Sequence, residues 1–204
     1  MKFRFHPILL PVFLFLIISG DLSVYTIIFI SLLIHEAGHL ICAYILGLQV
    51  RSCTIMPYGG ELVIPGRLTA RRKHRIILAL GGPAATMFIL FLAVIFEFPG
   101  NDIVIKIQLF LLGINLLPIL PLDGGHVLAA VLEARGFETN AKTIMLIYSM
   151  SILTVISIAL SFHLPKTVPY LLLAVFLLIQ NYTSFRFRRY ERAFIKLKIN
   201  ELTK

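Results

Sequence analysis

The chain has 204 residues, of which 58% are hydrophobic and 14% charged, and its mean hydropathy is +0.91. Soluble chains carry about 25% charged residues, so the composition excludes an ordinary soluble enzyme and indicates an integral membrane protein. A net charge of +9 would point to nucleic acid in a soluble chain, but here the basic residues crowd into loops and the tail, where they set topology, and no nucleic-acid partner is expected.

Six apolar segments follow one another, at approximately 5–19, 22–47, 75–98, 103–121, 142–162 and 167–183. They predict an all-α polytopic membrane protein of about six transmembrane helices. The first segment, with Lys2 and Arg4 ahead of it and Pro7 and Pro11 inside it, imitates a secretory signal. It lacks a small-residue cleavage site near Ser19-Gly20-Asp21 and is read as a retained anchor. The second is about 26 residues long, nearly 40 Å at roughly 1.5 Å per residue, which exceeds a hydrocarbon core of about 30 Å and implies tilt.

Between the second and third segments, Ile55, Leu62, Val63 and Ile64 alternate weakly around Pro57-Tyr58-Gly59-Gly60. This predicts a short β-hairpin or re-entrant loop. The run Arg71-Arg72-Lys73-His74-Arg75 suits a surface of anionic lipids. In the third segment, Gly81-Gly82-Pro83-Ala84-Ala85 is a small-residue patch for close helix packing with a proline kink. The fourth ends in Asn115-Leu116-Leu117-Pro118-Ile119-Leu120-Pro121-Leu122-Asp123-Gly124-Gly125-His126, where two prolines break the helix.

The fifth and sixth segments carry almost no charge and read as scaffold or gate. Phe185, Phe187, Tyr190, Phe194, Ile195 and Leu197 then interleave with basic residues to the end of the chain, as in an amphipathic helix on anionic lipids. The expected division is a transmembrane domain at 1–184 and a basic tail at 185–204. Of the 19 basic residues, all but Lys106 and Lys166 fall on one side of a six-span layout, which puts both termini in the cytoplasm by the positive-inside rule. Cys42 and Cys53 have no zinc-ribbon spacing and read as small hydrophobes.

Within the second segment stands His35-Glu36-Ala37-Gly38-His39, an H-E-x-x-H motif. On a helix, residues four apart share a face, so both imidazoles can meet one metal ion with the glutamate beside it. Counting from Leu22, His35 lies roughly 20 Å from the outer end, inside the bilayer and nearer the cytoplasm. Burying three ionisable side chains there is costly unless they are paired or metal-bound. A catalytic zinc keeps three protein ligands and an open position for water, so a third ligand must come from elsewhere. Asp21, Glu97 and Asp102 lie on the outer side and Glu191 and Glu201 in the tail. Asp123 is the best placed, and Glu61 is second. With such a site, Glu36 would take a proton from the attacking water and pass it to the leaving amine, and Asn115 could bond the substrate backbone or the oxyanion. His6, His74, His126 and His163 read as structural.

The H-E-x-x-H in an early span, together with Asn115-Leu116-Leu117-Pro118 and Pro121-Leu122-Asp123-Gly124-Gly125, resembles the site-2 protease family of intramembrane zinc metalloproteases (peptidase family M50). The likeness is closer to its stage IV sporulation protein FB group, through Phe5-His6-Pro7, Pro57-Tyr58-Gly59-Gly60, Gly82-Pro83 and the six-span layout. The resemblance implies one Zn2+ per chain held by His35, His39 and Asp123, with Glu36 as catalytic base. It also implies a membrane-tethered protein substrate cut in or next to a transmembrane segment, in regulated proteolysis such as sporulation sigma-factor processing. Location in a bacterial cytoplasmic membrane, membrane regulatory or inhibitory partners, and substrate held as an added strand near Gly59 and Gly60 follow from the same likeness. The chain departs from the group in two respects: no CBS or PDZ domain is expected, and Ala84-Ala85-Thr86 stands where the family often has Asn or Gln. Two other classes fit the metal motif, a catalytically silent zinc-binding regulator and a metal transporter. Retention of Glu36 speaks against the first, and confinement of the polar residues to the inner half speaks against the second.

Overall fold

A run of apolar residues from Leu22 to Ile45 forms helix α1, because a backbone in hydrocarbon must bond its own polar groups. The computed structural model describes residues 2–5, 22–56, 59–64, 70–135 and 140–202, which fall into two units, Met1–Leu116 and Leu117–Lys204.

In the first unit, α1 stops at Gly47, whose φ of 67° is the left-handed value that closes many helices. Leu48 N–H donates to Ala43 O at 2.9 Å and Gly47 N–H to Tyr44 O at 3.0 Å, the paired bonds of a Schellman end. The chain next enters a three-stranded sheet in the order β1-β2-β3. Strand β1 (Lys2–Phe5) runs parallel to β2 (Ser52–Met56), and β2 runs antiparallel to β3 (Gly59–Val63). Helices α2 (Arg72–Ile95) and α3 (Asn101–Asn115) follow among the described residues of the unit.

Helix α2 meets α1 backbone to backbone. A Cβ on Gly81 would lie 2.7 Å from Gly38 O and 2.8 Å from Cys42 Sγ, and one on Gly38 would lie 2.7 Å from Ala85 Cβ. Small residues at such a crossing replace the hydrophobic drive that is missing between helices in lipid. Gln108 Nε2 on α3 donates to Ser31 Oγ on α1 at 2.8 Å. Ala43, Ile64 and Leu78 form a buried cluster flanked by Leu46, Leu48 and Val50. Phe88 and Phe91 on α2 are exposed, as suits a lipid-facing surface.

The second unit holds α4 (Asp123–Ala134), α5 (Ala141–Ser161) and α6 (Val168–Leu202). Its core is built around the non-helical stretch before α4. Ile119 packs with Leu153, Ala174 and Leu177, and Leu120 with Met145 and Leu146.

The expected class, all-α with about six transmembrane helices and a short β-hairpin or re-entrant loop after the second, is corrected. Among the described residues four helices are long and apolar enough to cross a membrane, namely Ser23–Ile45, Arg72–Ile95, Ala141–Ser161 and Val168–Arg188, so the protein is an integral membrane protein. The apolar segment at 103–121 is only a 15-residue helix, α3, about 22 Å long, because the prolines after Asn115 end it. The first expected span falls largely on 6–21, outside the described residues. The chain is therefore not all-α: β2 and β3 pair antiparallel within a three-stranded sheet, and its third strand comes from Lys2-Phe3-Arg4-Phe5, whose period-two alternation is a strand signal. Pro57 and Tyr58 lie outside the described residues.

Candidate metal centre

The α1–α2 crossing sets the first part of the site. His35 and His39, one turn apart on α1, are both buried, and their rings stand edge to face with centroids 5.0 Å apart at 82°. Burial removes water as a hydrogen-bond partner, and the Nδ1 atom of each ring is served by protein.

The Nδ1 side of both rings turns to α2. His39 Nδ1 lies 2.7 Å from Leu78 O, and because a carbonyl only accepts, Nδ1 carries the proton. Gly82 N stands 3.2 Å from the same Nδ1. Both atoms bear hydrogen, so this is a close approach and not a second bond. His35 Nδ1 lies 2.9 Å from Thr86 Oγ1. Thr86 is buried, and its hydroxyl fixes the plane of that ring.

The Nε2 atoms of both rings converge over Gly82. A Cβ built there would overlap Nε2 of His35 and Nε2 of His39, and would lie 2.7 Å from His35 Cε1. The space that a side chain at position 82 would fill is the space the two nitrogens share. This cradle fits a metal ion: two imidazoles, each anchored through Nδ1, present Nε2 lone pairs to one place. Glu36 follows His35 directly and is half-buried.

In the second unit Asp123 is the first residue of α4, after Leu122 with φ −65° and ψ 160°. A carboxylate at a helix N-terminus is favoured by the macrodipole. Asp123 is half-buried. Asn115 ends α3 with its Nδ2 donating to Leu111 O at 3.0 Å, so that amide is engaged with its own helix. Gly59 and Gly60 open β3, opposite Met56 and Ile55. Glu61, the second choice of ligand, is in β3 opposite Thr54.

Residues 101–158 match the model of peptidase family M50. The chain is 24% identical over 196 residues to stage IV sporulation protein FB of Bacillus subtilis, covering 93% of this chain and 68% of that protein. It is 26% identical over 128 residues to a zinc metalloprotease of Methanocaldococcus jannaschii, covering 58% of this chain and 37% of that one. The solved site-2 protease of Methanocaldococcus jannaschii shares the chain's fold, with a TM-score of 0.67 at 21% identity over 90% of each chain.

Gly82 and Thr86 were not legible as site residues. Their signal is the spacing Gly82-x-x-x-Thr86, one turn of α2, set against the same spacing of His35 and His39 on α1. In the sequence it reads as packing.

Proposed function

We propose that the chain cuts a peptide bond in or next to a transmembrane segment of a membrane-tethered protein, with one Zn2+ held by His35, His39 and Asp123. The observation that carries this reading is the convergence of two anchored Nε2 atoms over Gly82. The donor set supports it: His35, His39 and Asp123 can each offer one ligand atom to a metal, and two imidazoles with a carboxylate leave an open position on a tetrahedral ion. When bound, zinc supplies Lewis acidity to the attacking water and to the scissile carbonyl.

The remaining chemistry belongs to the chain. Glu36 receives the proton of the attacking water and delivers it to the leaving amine. Asn115 offers the second N–H of its Nδ2, beside the one given to Leu111 O, to the substrate backbone or the developing oxyanion. The β3 edge at Gly59 and Gly60 holds the substrate extended, which exposes amides that a helical substrate hides. Arg71 to Arg75 and the tail at 185–204 rest on anionic lipids with both termini in the cytoplasm, the membrane being of the bacterial cytoplasmic type. Membrane regulatory or inhibitory proteins control access. The likeness to a sporulation protein suggests processing of a tethered transcription-factor precursor.

The test is Glu36→Gln in the full chain, co-expressed with tethered candidate substrates. The variant is expected to keep wild-type zinc and to lose cleavage by at least about 100-fold. Undiminished cleavage overturns the reading.

A further inference from the structure

We propose that Ser149 and Asn181 are positioning residues for Asp123, clamping the backbone of Leu120 at its N–H and its C=O from α5 and α6 and so setting where the carboxylate stands. The proposal rests on the reading of Asp123 as a metal ligand.

Leu120 lies in the non-helical stretch between α3 and α4, where no helical ladder serves its backbone. In an apolar bundle both its polar groups must find partners. Two other helices provide them. Leu120 N–H donates to Ser149 Oγ at 2.9 Å, and Asn181 Nδ2 donates to Leu120 O. Asn181 Nδ2 also donates to Leu177 O, one turn back on its own helix, at 2.9 Å, which fixes the orientation of the amide. Ser149 is 0% and Asn181 1% exposed, so water cannot substitute for either bond.

The remaining atom of the clamp argues against a mere packing role. Asn181 Oδ1 is buried and accepts no hydrogen bond among the described residues. An unsatisfied buried carbonyl is costly, and a leucine there would avoid that cost if filling space were the only demand. The residue is held for its donor.

From Leu120 the constraint passes to Asp123 through short, closed links. Leu122 N–H donates to Ile119 O at 2.9 Å, and His126 N–H to Leu122 O at 3.1 Å. The first turn of α4 lies directly on the clamped peptide, since a Cβ on Gly125 would come within 2.6 Å of Leu120 N. With Leu120 pinned and the turn closed, the first residue of α4 has no hinge of its own.

The experiment measures zinc affinity by competition with a chromophoric chelator, and the visible spectrum of the Co2+-substituted protein, on the full chain in detergent. Ser149→Ala and Asn181→Leu are each expected to weaken zinc roughly 10- to 100-fold, the usual effect of losing a residue that orients a ligand, and to shift the cobalt bands. Ser149→Thr, which keeps the hydroxyl acceptor, restores both. In an Asp123→Ala background Ser149→Ala has no further effect, because its action runs through the missing carboxylate. The clamp is overturned if Asp123→Ala weakens zinc while Ser149→Ala leaves affinity and spectrum unchanged, or if Ser149→Ala weakens zinc equally in both backgrounds. Unchanged zinc affinity in Asp123→Ala instead overturns the ligand reading, and the clamp with it. Should Asn181→Leu not fold, the Ser149 pair of variants decides.

Discussion

Thr86 Oγ1 stands 2.9 Å from His35 Nδ1 across the α1–α2 contact, and both side chains are buried. In the proposed site the hydroxyl fixes one ring plane through the nitrogen that would not ligate, as outer partners of metal-bound histidines do. Thr86→Val keeps the shape and removes the bond. It is expected to weaken zinc about 10-fold, whereas Thr86→Ser stays near wild type. Competition titration with a chelator measures both, and equal affinities for the valine variant and wild type would remove Thr86 from the site.

Gly82 gives a sharper expectation. Because a Cβ there overlaps Nε2 of both His35 and His39, Gly82→Ala forces the rings apart or off their Nδ1 partners. Zinc content should fall well below one per chain and cleavage by about 100-fold or more, with helix content by circular dichroism unchanged. A variant that still binds one zinc tightly would mean that the rings find another convergence.

Metal removal separates binding from chemistry. Exhaustive chelation of the wild-type chain should abolish cleavage, and about one equivalent of Zn2+ should restore it. Glu36→Gln should bind that equivalent and remain inactive, since its carboxamide cannot take the water proton. Cleavage that survives chelation would argue against a metal mechanism.

The sequence made α1 and its histidines legible because their pattern is local: an apolar helix carrying two imidazoles one turn apart announces itself. Asp123 stands out in the sequence by its setting between helix-breaking prolines and glycines, which made it the proposed third ligand. The partners were not legible. Thr86 and Leu78 meet the rings only through the Gly38–Gly81 approach, and that crossing is a tertiary fact. Ser149 and Asn181 lie in segments that read as scaffold or gate, and only the fold brings them to the N–H and the C=O of one residue, Leu120. The sheet was misjudged for a different reason. Lys2 to Phe5 alternates as a strand does, but its basic residues also fit the flank of a membrane anchor, and its pairing with Ser52 to Ile55 joins residues some fifty positions apart.

The Ser31–Gln108 pair carries the last prediction. Gln108 Nε2 donates to Ser31 Oγ at 2.8 Å, Ser31 is buried with it, and Gln108 Oε1 accepts no hydrogen bond among the described residues. Interhelical hydrogen bonds inside membrane proteins average about 0.6 kcal/mol, but removing one partner also leaves the other desolvated, at about 1–3 kcal/mol. Ser31→Ala should therefore destabilise the chain by about 1–2 kcal/mol. Gln108→Leu added to it removes the stranded amide and should recover part of that loss, so the double variant is expected to be more stable than Ser31→Ala alone. Unfolding in mixed detergent micelles, followed by circular dichroism, measures the order. A double variant less stable than either single one would show that Gln108 contributes chiefly through packing of α3 on α1, and the hydrogen bond little.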